Sequence, residues 1–139
     1  METAITRLLH CELPIVQAPM AGGGDTPALV AAVGNAGAFG FLGAAYLAPD
    51  AIRAAAHAVR AASARPFGIN LFAPQHAQPS GDLHAARQRL APYYAELGLA
   101  LPPLPQPGDT SDAQLDAALA TDAVAISFTF GIPPAECRT

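Results

Sequence analysis

Residues Pro14 to Gly24 read PIVQAPMAGGG, an apolar run that ends in a Pro-Met pair and three glycines. Pro14 to Met20 reads as a strand, with proline at its first position, where no ladder donor is needed. The glycines behind it imply a sharp bend or a close approach of backbone to something else. Thr26-Pro27 supplies N-cap and first helical residue, so a helix follows the corner directly. Strand, corner and helix begin an alternating α/β pattern, and the rest of the chain decides which one.

The first helix has its apolar face at Leu29, Val30 and Val33, and Gly34-Asn35 offers a left-handed stop. Ala38 to Gly43, AFGFLG, is a short glycine-bounded apolar run that fits a strand buried on both faces. Pro49 opens the second helix, with Asp50 near the positive end of its dipole. Ile52, Ala55, Ala56 and Val59 form its inner face, and Arg53, His57 and Arg60 a solvated one. Phe67 to Phe72, FGINLF, is the third strand. A long excursion over about 73–122 follows. It holds a helical stretch around Leu83 to Leu97, with Pro92 as a kink or break. Leu101 to Asp109 is a stiff proline-rich connector, and Asp112 to Ala120 a further helix with Leu115 and Leu119 one turn apart. Ala123 to Phe130, AVAISFTF, is the fourth strand, ended by Gly131-Ile132-Pro133-Pro134. Such alternation predicts a parallel sheet with helices outside it, either a doubly wound open sheet or a (β/α)8 barrel.

Composition narrows the function. The 139 residues are 52% hydrophobic, enough for one domain with a sizeable core. The net charge is −4, and the seven basic residues are scattered arginines, so the chain has no electrostatic footprint for nucleic acid or an anionic membrane, and neither is expected as a partner. Pro27 to Pro49 carries no charge, but glycines and Asn35 interrupt it, so a helix, turn and strand explain it better than a membrane span. The N-terminus lacks an apolar signal core with a cleavage site. Cys11 and Cys137 form no CxxC and read as reduced thiols, which suits a cytoplasmic protein.

A dinucleotide fold requires GxGxxG after the first strand and an acid ending the second. Gly22 and Gly24 supply half of the fingerprint, but Pro27 holds the third glycine position. Gly43-Ala44-Ala45-Tyr46 has no carboxylate for a ribose. A Walker A motif is impossible in a chain without lysine. In parallel α/β folds chemistry collects at the C-terminal strand ends. Here those are Gln17 to Met20, Leu42-Gly43, Asn70 to Phe72 and Ser127 to Gly131. They hold no carboxylate pair, no Ser-His-Asp order and no His/Cys cluster. A flat, aromatic, partly polar cofactor suits them better than hydrolysis. Asn70 is the sharpest residue, a buried amide whose two donors and acceptor need partners. It either bonds neighbouring backbone or faces a ligand, and Gly68 on its face leaves room for the second. Ser127 and Thr129 share a face with Ala125; Val124, Ile126, Phe128 and Phe130 share the other. The small polar set either lines a cavity or is ordinary core alternation.

Taken together, QAPMAGG, GNAGAFGFLG, PFGINLF and SFTFGIP resemble, in this order, the flavin-dependent nitronate monooxygenases, formerly 2-nitropropane dioxygenases. The resemblance spans nearly the whole chain. It implies a parallel (β/α)8 TIM-barrel fold of which residues 1–139 are the N-terminal half, with four strands present. It implies an FMN cofactor, with Ala18, Pro19, Met20 and Ala21 against the isoalloxazine ring and Asn70 hydrogen-bonding FMN. The reaction implied is oxidation of an alkyl nitronate by O2 to a carbonyl compound and nitrite. The family's catalytic histidine falls beyond residue 139, and none of His10, His57, His76 or His84 takes its place, so no catalytic residue is expected here. FMN-dependent enoyl-ACP or quinone reductases share the general layout, and an inactive fragment is the remaining alternative. Open barrel edges would favour self-association.

Overall fold

The computed structural model describes residues 2–73, 81–104 and 111–131. In chain order the elements are α1 (Ala4–Leu9), β1 (Val16–Gln17), α2 (Pro27–Asn35), β2 (Phe39–Gly43), α3 (Pro49–Ala62), β3 (Phe67–Phe72), α4 (Leu83–Glu96), α5 (Ser111–Leu119) and β4 (Ala125–Thr129). The strands form one sheet in the order β1-β2-β3-β4, and every pairing is parallel. Two compact units are present, residues 1–75 with 110–139, and residues 76–109. His76, the connector from Pro105, the turn after Gly131 and Cys137 lie outside the described residues.

In the sheet unit, successive strand side chains go to opposite faces. Leu42, Ile69, Leu71, Ile126 and Phe128 pack on α2, α3 and α5 through Val30, Ile52, Val59 and Ala117. Ile52 and Ile69 are fully buried, each stabilising the fold by about 1.5–3 kcal/mol relative to exposure. The opposite, inner face begins with Phe39 and Phe41. Leu9 of α1 closes over them, with Cys11 and Ala125 at the margin. Helix α1 is absent from the sequence reading because it has six residues and an atypical start. Thr3 and Thr6 form a capping box, with the Thr3 N–H donating to Thr6 Oγ1 at 2.8 Å and the Thr6 N–H to Thr3 Oγ1 at 3.3 Å. Threonine stands where glutamate or glutamine is the usual signal.

Three expectations are corrected. First, β1 is Val16–Gln17 and not Pro14 to Met20. Pro14 and Pro19 have no N–H to give a ladder, and the Met20 N–H donates to the Asp25 carboxylate at 2.7 Å instead. Second, Gly34 and Asn35 are the last turn of α2, and the left-handed residue is Gly37, with φ 88°. Asn35 accepts from Ser63 Oγ at 2.7 Å and donates to Ala62 O at 3.2 Å, tying α2 to the end of α3. Third, Arg60 is half-buried rather than solvated. Its guanidinium lies 5.2 Å from the Phe67 ring centroid and pairs with Asp122.

In the second unit, Asp82 caps α4 by accepting from the His84 and Ala85 N–H groups at 2.9 and 3.1 Å. The helix continues through Pro92. Arg87 Nε donates to Pro102 O at 2.7 Å, which holds the start of the connector on α4.

Candidate functional site

The glycine corner is organised by one carboxylate. Asp25 is 7% exposed. Its Oδ2 accepts from the Met20 N–H at 2.7 Å and the Gly43 N–H at 2.5 Å. A single oxygen thus joins the corner after β1 to the end of β2. Gly43 has to be glycine, because a Cβ there would stand 2.5 Å from Ala21 N and 2.8 Å from Asp25 Oδ2. Gly22 and Gly23 take φ of 100° and 107°, with no atom within 4 Å of an added Cβ. Turning the chain accounts for both. Gly24 is the close approach, because a Cβ added there would stand 2.9 Å from Met20 Cβ. Asp25 is absent from the candidates that the motifs single out, and its signal in the sequence is that it is the only charge between Glu12 and Asp50 and follows the glycines directly.

Strand register sorts the inner face into levels. Phe41, Gly68 and Ala125 are paired neighbours, then Gly43, Asn70 and Ser127, then Phe72 and Thr129. At the lowest of these levels, Gly68 does not leave room for a ligand. Phe41 takes the space, and a Cβ on Gly68 would lie 2.2 Å from its ring. The inner face is therefore shut below Asn70.

Asn70 is 5% exposed. Its Nδ2 donates to Ser127 O at 3.2 Å, Ser127 Oγ at 2.9 Å and Thr129 Oγ1 at 3.3 Å. A backbone carbonyl only accepts, so the Ser127 carbonyl fixes which side of the amide carries nitrogen. Ser127 and Thr129 serve as acceptors that turn the Asn70 oxygen the other way. That oxygen makes no hydrogen bond among the described residues. The Asn70 carbonyl receives the Ala44 N–H at 2.9 Å, so the amide sits beside the β2 end that Asp25 holds. Met20, Ala21, Gly43 and Asn70 are thus brought together. Ala18 and Pro19 lie outside the ladder; the Ala18 carbonyl accepts from Gln17 Nε2, which also donates to Phe41 O at 3.2 Å. Gln17 Oε1 is buried without a hydrogen-bond partner among the described residues.

Above Asn70 stands an aromatic group. Phe72 packs edge-to-face with Tyr46, centroids 5.4 Å apart, and with Phe130, 4.9 Å apart. Phe130 does not share a face with Phe128, as strand alternation predicts. Its φ of 67° is left-handed, which turns the side chain onto Phe72. Such a conformation costs a bulky residue about 1–3 kcal/mol.

The described histidines stand apart from these strand ends in the chain. His10 caps α1, His57 lies on the exposed face of α3, and His84 is in the first turn of α4. No group of three or more His, Cys, Asp or Glu is placed to hold a metal among the described residues. A cavity of about 370 Å³ lies elsewhere, beside α1, lined by Glu2, Thr6, Arg7, Cys11 and Glu12. No described helix is long and apolar enough to cross a membrane.

Fold and site define a class: a parallel α/β chain of TIM-barrel type, four strands of it, with backbone, one amide and aromatic rings gathered at the C-terminal strand ends. Residues 3–138 match the family model described as Nitronate monooxygenase, and the chain belongs to that family. Nitronate monooxygenases from Paraburkholderia phytofirmans and Pseudomonas aeruginosa are each 38% identical over 96% of this chain. The chain spans 37% and 39% of their lengths. Among solved structures, nitroalkane oxidase from Streptomyces ansochromogenes matches with TM-score 0.84 and 39% identity, over 97% of this chain and 38% of its own. FabK from Thermotoga maritima shares the fold, with TM-score 0.65 and 24% identity over 94% of this chain and 31% of its own.

Proposed function

We propose that this chain is part of an FMN-dependent oxidoreductase that oxidises alkyl nitronates with O2 to a carbonyl compound and nitrite. One observation carries the reading. The Met20–Ala21 backbone, pinned by Asp25, and the Asn70 amide oxygen, without a hydrogen bond among the described residues, meet at one end of the sheet. A flat heteroaromatic ring with N–H and carbonyl groups fits that combination of backbone, a half-exposed methionine and a lone acceptor. When bound, FMN supplies the electron-accepting chemistry. The residues of this chain hold and orient it. Ala18, Pro19, Met20 and Ala21 give the ring a backbone floor, and Asn70 receives a hydrogen bond from it. Phe41 and Leu9 exclude water from below. Proton transfer at the substrate carbon is assigned to none of the described histidines.

The test is flavin binding together with nitrite release and oxygen uptake on adding ethylnitronate. Bound flavin and nitrite support the reading. NADH oxidation without nitrite would move it to the reductase alternative. A protein that stays colourless after FMN is added would refute it. The same reading makes the chain a cytoplasmic enzyme of small molecules. The outer edges of β1 and β4 have no strand partner among the described residues, which supports self-association. Size-exclusion chromatography should show concentration-dependent oligomers, and a monomer at every concentration would refute this.

A further inference from the structure

We propose that Tyr46, Phe72 and Phe130 form a wall that receives the apolar tail of the substrate, and that Phe130 sets the preference for large or aromatic tails. The inference rests on the nitronate reading for the substrate's head group. The wall itself rests on geometry.

The three rings come from three strand ends. Phe72 is the last residue of β3, on the same face as Asn70 and two residues above it. Tyr46 follows β2, and Phe130 follows β4. Tyr46 and Phe130 are 71% and 70% exposed, yet both are locked edge-to-face on Phe72. Rings packed on one another that keep most of their surface exposed offer a face on which a further apolar group can extend the stack.

Two features show that the arrangement is built. The Tyr46 loop is tied from below by Gln114 of α5, whose Nε2 donates to Leu47 O at 2.8 Å and Ala45 O at 3.2 Å. Phe130 holds a left-handed backbone although Gly131 is next to it. A turn alone would put glycine at the left-handed position, where it meets no steric penalty. The chain keeps phenylalanine there, and the strain aims its ring inward.

The choice of tail follows from charge. Residues 17–24, 43–47, 72–73 and 130–131 contain no cation. The wall has nothing to pair with an anionic nitronate head or a carboxylated tail. An uncharged alkyl or aryl group is what it fits.

Phe130→Gly tests this directly, because glycine relieves the left-handed backbone while removing the ring. The melting temperature should hold or rise. The kcat/KM for the nitronate of phenylnitromethane should fall about tenfold, the scale of one lost apolar contact in a pocket, with that for ethylnitronate falling less. Equal losses for both substrates, or a fall in melting temperature, would overturn the proposal. A second measurement needs no turnover. Nitrobenzene has no α-proton and cannot form a nitronate. Titrated into the protein, it should shift the ring NMR signals of Tyr46, Phe72 and Phe130 together, and the Tyr46 and Phe72 shifts should be smaller in Phe130→Gly. Shifts that leave these three rings unmoved would overturn the wall. Absence of nitrite with every nitronate would instead refute the proposed function.

Discussion

The two ends of the inner sheet face are built from the same strands and differ in every other respect. At the lower end, Phe39, Phe41 and Leu9 bury one another, and Gly68 exists to admit the Phe41 ring. At the upper end, Asn70 keeps an acceptor open, and Tyr46, Phe72 and Phe130 expose ring surface over it. The lower end is filled to stabilise; the upper end keeps ring surface exposed and is strained at Phe130, which is where we propose that a ligand binds. Parallel barrels divide labour this way, with stability at the N-terminal face and chemistry at the C-terminal one.

The division can be broken first at the bottom. Phe39 is fully buried, so Phe39→Ala should destabilise the fold by about 3–5 kcal/mol, read as a shift in the denaturant midpoint. A loss below 1 kcal/mol, by the same scale, would mean the lower plug is not packed. Next comes the hinge between the two ends. Gly43→Ala drives a Cβ into the Ala21 backbone and the Asp25 carboxylate, and overpacking of this kind costs about 1–3 kcal/mol. Its signature should be faster hydrogen exchange at Met20 with little change at Phe39.

Asp25→Ala removes the shared acceptor and leaves two N–H groups without it, at about 1–3 kcal/mol. Asp25→Asn should restore most of this, because one amide oxygen can accept both bonds. If Asn behaves like Ala, the clamp is not a hydrogen-bond effect. Smallest in stability is Met20→Glu. Met20 is 41% exposed, so the change should stay within about 0.5 kcal/mol. It should nonetheless disrupt flavin retention, by setting a charge where a flat ring packs. Unchanged retention would remove Met20 from the floor.

Much of this was legible in the sequence. The α3 face at Ile52, Ala56 and Val59 follows from helical periodicity, and the all-buried β2 from a glycine-bounded apolar run. Asn70 stood out as an amide in an apolar strand. What escaped was long-range. No local pattern says that Asp25 spans from Met20 to Gly43, since those partners are set by how β1 meets β2. The space beside Gly68 looked open because Phe41 fills it from another strand. Phe130 was placed by alternation, and one left-handed residue reverses that placement. Helix α1 was missed because six residues and a threonine capping box carry little signal.

The proposed flavin site depends on Asn70 presenting an acceptor to the ring. Titration of FMN into the wild-type protein and into Asn70→Ala, followed by flavin fluorescence, tests it most directly. The wild type should bind, and the variant should bind about tenfold more weakly, the loss of one buried hydrogen bond of roughly 1.5 kcal/mol. Equal affinity in both proteins would contradict the assignment.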